Sequence, residues 1–126
     1  MLGIFKSLFD NPEREAKRLN RDAAVIVDSA TKSMTAVRVR EIAVITLEHI
    51  AEARAHLDEH TDSLDQLLSR FRQLHSEARR RMDQVSLTAY TLVIIYLRAS
   101  ALGERAVPAL QTIDEFTAQW SHAVEQ

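Results

Sequence analysis

The sequence predicts an all-α protein: a long antiparallel helical hairpin, coiled-coil-like, with a C-terminal third helix that makes a three-helix bundle at one end. Three observations predict it. Ninety consecutive residues between Pro12 and Gly103 contain neither glycine nor proline, the two residues that cost a helix interior about 1 and about 3 kcal/mol. Seventeen alanines accompany abundant Leu, Glu and Arg. Apolar residues recur at steps of three and four, the helical period.

The first element starts at Asp10-Asn11-Pro12. Asp or Asn caps free amides there, and proline at the first helical position has no N–H to satisfy. Leu19, Ala23, Ile26, Ala30, Met34 and Val37 then form one stripe, and Val39, Ala43, Thr46, Ile50, Ala53 and Leu57 form another. The apolar face therefore steps round the helix near residues 31–38. A continuous segment over 12–59 is expected, because no breaker marks a stop; a four-helix bundle with a break near Thr31–Thr35 is the alternative.

The polar run Asp58 to Ser63 is the next turn, with Thr61, Asp62 or Ser63 as cap and Asp65 suited to the positive end of the following helix. Over 62–102 the residues Leu64, Leu68, Phe71, His75, Ala78, Met82, Val85, Ala89, Leu92, Tyr96 and Ala99 alternate by four and three, a heptad seam. Antiparallel folding about Thr61 sets Ile50 near Phe71 and Val39 near Met82. A second stripe, polar up to Asp83, turns apolar at Leu87, Tyr90, Ile94, Leu97 and Ala101, so the second helix gains a neighbour halfway along. That neighbour is the amphipathic segment 106–124, carrying Leu110, Ile113, Phe116, Trp120, Ala123 and Val124 after the cap at Gly103. A buried strand at Thr91–Leu97 is the competing reading, but it has no partner strand.

Composition narrows the function. One domain of 126 residues, 46% hydrophobic with net charge −2, is able to build a core and is not built to neutralise phosphate backbones, so no nucleic acid is expected. Arg79, Arg80 and Arg81 fan round a helix at about 100° per residue. Without cysteine there is no disulfide framework, thiolate nucleophile or Cys-based zinc site. The N-terminus does not read as a secretory signal, and the uncharged run Gln84–Leu97 falls short of the roughly 20 residues of a bilayer span. A cytoplasmic protein is expected.

Catalytic machinery is not expected, nor a cofactor. His56-Leu57-Asp58-Glu59-His60 matches the inverted zinc motif of one metallopeptidase class, but such sites need a third ligand within a larger α/β domain. His49, Glu52, His56 and His60 lie at spacings of three and four and are weak metal candidates; a solvated charged face is the plainer reading. His75 reads as a polar seam residue bonded to Thr46 or water, with a pH switch as the alternative.

Two binding features remain. Val37, Val44, Leu47 and Ala51 form apolar surface beside the seam that no third helix reaches, which marks an interface for a second copy or a partner helix. At the other end, Leu2, Ile4, Phe5, Leu8 and Phe9 precede Arg14, Lys17, Arg18 and Arg21. An apolar wedge followed by a basic face suits an anionic membrane, placing the protein against the inner face of the membrane; the alternative is that Phe5, Leu8 and Phe9 plug the bundle. This layout, an amphipathic piece, an acidic-Pro start and a long breaker-free hairpin, resembles that of the phage-shock-protein A family of membrane-remodelling hairpins. The leading expectation is a non-enzymatic helical interaction or scaffold protein, self-associating; membrane binding and a metal- or ligand-binding bundle are the alternatives.

Overall fold

A computed structural model describes residues 11–60 and 62–121, and every element in them is helical: α1 (Pro12–Ser33), α2 (Ala36–Asp58), α3 (Leu64–Arg80), α4 (Gln84–Leu102), a 3-10 turn (Gly103–Ala106) and α5 (Val107–Ser121). The expected all-α helical bundle is present.

The first long segment is two helices, so the expected continuity over 12–59 is corrected and the alternative break is the one found. Asn11 accepts from the Arg14 amide at 3.1 Å to start α1. At the other end Met34 turns extended after its own N–H closes on the Ala30 carbonyl, and the Thr35 hydroxyl accepts from the Arg38 amide to open α2. A threonine able to satisfy a free amide makes a new helix start without Gly or Pro. The shift of stripe has its cause here: α1 buries Ala16, Leu19, Ala23 and Ala30, whereas α2 buries Val39, Ile42, Ala43, Thr46, Ile50 and Ala53.

A second break overturns the single helix expected over 62–102. α3 opens on a reciprocal capping box, Ser63 with Gln66. It closes on a Schellman arrangement in which Met82 takes the left-handed position at φ 58; the Asp83 N–H reaches the Ala78 carbonyl at 2.9 Å and the Met82 N–H that of Arg79 at 3.1 Å. The Asp83 carboxylate then caps α4 through the Ser86 amide at 3.1 Å. Met82, expected in the seam, is instead 84% exposed.

This break reorganises the packing. α3 folds back on α4, the helix that follows it, so the expected projecting coiled coil of α2 against α3 is not formed; α2 packs on α4 and α5. α4 touches all four other helices, and it buries Ala89, Leu92, Val93, Ile95, Tyr96, Leu97, Ala99 and Leu102 on every side, as a helix apolar all round must. By length and composition alone the run Gln84–Ser121 would cross a bilayer; in the fold, Gly103 at φ 66 interrupts it.

Polar ties lock the layers. The Asn20 side chain of α1 donates to the Arg105 carbonyl (3.1 Å) and accepts from the Ala109 amide (2.9 Å), satisfying an orphan donor in the first turn of α5. The Tyr96 hydroxyl of α4 engages Asp114 of α5 and Arg54 of α2, and burial pushes its pKa up.

Candidate functional site

The outward face of α2 carries the four residues expected to bind a partner. Positions 37, 44 and 51 are two turns apart, and 47 lies one turn beyond 44, so all four share one side. Val37 is 54% and Leu47 44% exposed; Ala51 is exposed and Val44 half-buried. The opposite side of the helix is consumed by the core. Charge is distributed along this face: Arg38 and Arg40 lie in the first half of α2, and Glu48, Glu52 and Asp58 in the second. Glu41 and Arg54 invert the pattern and are themselves opposite in sign.

The weak metal candidates are separated by their surroundings. His49 is not on a solvated face: its ring stands edge-on to Phe71 (centroids 5.7 Å) and Tyr90 (5.4 Å), and its Nδ1–H donates to the Ile45 carbonyl at 2.8 Å. Glu52 and His56 join a charged network with Asp62 and Arg70: His56 Nδ1 lies 3.1 Å from Asp62, and Arg70 lies 3.3 Å from Asp62 and 3.7 Å from Glu52. The guanidinium already pairs with both carboxylates, and the network ties the end of α2 to the start of α3. His60 is exposed at φ 58, closing α2 through its N–H to the Leu57 carbonyl. Among the described residues no group of three or more His, Asp or Glu is arranged to hold a metal ion.

Arg14, Lys17, Arg18 and Arg21 line one shallow depression at the start of α1 with Asn11 and Glu13. Arg18 pairs with Glu15 at 2.6 Å and Arg21 approaches Asp22 at 3.7 Å. Leu2, Ile4, Phe5, Leu8 and Phe9 lie outside the described residues.

One feature escaped the sequence reading. α1, α3 and α4 enclose a cleft of about 400 Å³ floored by Leu19, Ile26, Ile94 and Ile95, with Arg18, Arg72 and Arg98 at its edges. His75 lines this cleft; its expected bond to Thr46 is absent because α3 packs along α4 and not along α2, and the buried Thr46 hydroxyl donates to the Ile42 carbonyl at 2.7 Å. Arg98 is paired with Glu15, yet its Nε is buried without a partner. Burial draws the Arg98 pKa below its ordinary value; Glu15 opposes that shift, and the charges of Arg18 and Arg72 add to it. A signal was available in the sequence: Arg98 is the one charge within the apolar run of α4.

Compared with known proteins, the chain matches no family model, no curated protein and no solved structure. The resemblance to the phage-shock-protein A hairpins therefore rests on layout alone, and the two helix breaks depart from that layout.

Proposed function

We propose that this chain is a non-enzymatic helical assembly protein whose outward α2 face binds the same face of a second copy. The observation that supports this reading is the exposure of Val37 and Leu47, 54% and 44%, on one side of a helix whose other side is fully buried. A second copy suits the strip because it is self-complementary. Crossing two α2 helices antiparallel about a two-fold axis at Val44 sets Val37 opposite Ala51 and Arg40 opposite Glu48, while Leu47 falls opposite Glu41 and is covered by the aliphatic stem of that side chain.

The magnitude is modest. Fully burying a Val or Leu is worth about 1.5–3 kcal/mol, so covering the exposed halves of Val37 and Leu47 on both copies gains roughly 4 kcal/mol before association costs. Assembly through these residues alone is accordingly weak and dilution-sensitive, with Kd roughly millimolar or weaker.

Sedimentation across a wide concentration range tests the reading. The wild type should gain mass with concentration, and the double variant Val37→Asp, Leu47→Asp should remain a folded monomer; both positions are half exposed, and Asp in the first turn of α2 is favoured by the helix dipole. A folded double variant with the wild-type mass profile, or a wild type that stays monomeric throughout, would sink it.

A further inference from the structure

We propose that the cleft between α1, α3 and α4 binds a small amphipathic anion, its carboxylate or phosphate held by Arg72 and Arg98 and its apolar part lying on Leu19, Ile26, Ile94 and Ile95. The site is distinct from the α2 strip and does not rest on the assembly reading.

The charge balance of the cleft points to a missing anion. Three helices each deliver one guanidinium to its edges: Arg18 from α1, Arg72 from α3 and Arg98 from α4. A single carboxylate, Glu15, serves both Arg18 and Arg98. Asp22 also lines the cleft, with Arg21 3.7 Å from its carboxylate, so the three guanidiniums still outnumber the two carboxylates beside them. Arg72 has no hydrogen bond or ion pair among the described residues, and the buried Nε of Arg98 has none either. Converging like charges on apolar ground are unfavourable unless a counter-charge joins them, and guanidinium forks match carboxylate and phosphate oxygens. His75 and Ser76 offer further polar groups at the mouth.

The walls specify the rest of the ligand. Thr91 donates its hydroxyl to the Leu87 carbonyl at 2.8 Å and so offers the cleft no proton, leaving the aliphatic floor suited to a short alkyl or similar apolar tail. A volume of about 400 Å³ falls within the roughly 300–1,000 Å³ of small-molecule sites.

Titration of the full chain with sodium decanoate and with decyl phosphate, below their micelle concentrations and followed by amide chemical shifts, tests the proposal. Both should bind saturably, one per chain, with shifts centred on the cleft. Inorganic phosphate should bind at least about ten-fold more weakly, and decyltrimethylammonium not at all. Arg72→Gln, at an exposed position, should weaken decanoate binding about ten-fold or more without changing the fold, and Ser76→Trp should block the cleft by bulk. Phosphatidylglycerol vesicles separate the sources: flotation lost in Arg72→Gln assigns a membrane headgroup, and soluble-probe binding without flotation assigns a free amphiphile. Equal binding of the cationic detergent, an unaffected Arg72→Gln variant, or no saturable binding of either anion would overturn the proposal.

Discussion

Replacing Met82 by glycine and by alanine gives a pair of variants whose order of stability reports whether the chain breaks at this residue. Met82 is 84% exposed with φ 58, so truncating it forfeits almost no burial and leaves the backbone to decide. In the left-handed conformation a side chain costs about 1–2 kcal/mol that glycine escapes. Glycine in turn loses about 0.5–1 kcal/mol more backbone entropy on folding than alanine. Met82→Gly should therefore be the more stable of the two by roughly 0.5–1 kcal/mol, or about 2–5 °C in Tm for a chain of this size. Inside a continuous helix the order reverses, with alanine ahead by about 1 kcal/mol. Urea unfolding followed by far-ultraviolet circular dichroism resolves a gap of this size when the slopes of the two transitions agree. A Met82→Ala variant more stable than Met82→Gly would refute the break, and with it the folding of α3 back onto α4.

Two other perturbations probe the caps. Asn20→Ala leaves the Arg105 carbonyl and the Ala109 amide without their partners and should cost about 1–3 kcal/mol, with Asn20→Asp intermediate because it keeps only the acceptor; urea midpoints measure both. The amide of Ser86 holds the Asp83 carboxyl below its ordinary value near 3.8. Because the folded-state pKa lies below the unfolded one, this carboxylate contributes stability above its ordinary pKa and loses it as pH falls through the folded value. Asp83→Asn keeps the cap without the charge, so its stability should fall less than that of the wild type between neutral pH and about pH 3; equal acid sensitivity of the two would contradict the assignment.

Much of this fold was legible as periodicity. The stripes Leu19–Ala23–Ala30 and Val39–Ala43–Thr46–Ile50–Ala53 are the buried faces of α1 and α2, and the shift between them marks the break at Met34–Thr35. The break at Arg81–Asp83 was hidden because a methionine occupies the left-handed position that glycine usually fills, so no breaker announces it. Its trace was present all the same. The face that turns apolar beyond Asp83 belongs to a new helix capped by that aspartate, not to an old helix gaining a neighbour. Seam position 75 misled for the same reason: with α3 folded on α4, His75 faces the arginine cleft and not Thr46. His49 was misjudged because spacing alone does not show that Phe71 and Tyr90 draw its ring inward. The exposure of Leu47 and Ala51 was legible, since those positions fall outside both stripes; Val37 ends the first stripe, and the break at Met34–Thr35 turns it outward. The arginine cleft was not, because its three guanidiniums come from three separate helices and meet only in the tertiary structure.

The claim that the α2 face joins two copies is tested most directly by amide spectra of the wild-type protein recorded over a dilution series. Self-association through this face predicts concentration-dependent shifts clustered at Val37, Val44, Leu47 and Ala51, with Val25, 58% exposed on α1, unchanged. Spectra that do not vary with concentration, or shifts centred on Val25 or elsewhere outside α2, would contradict it.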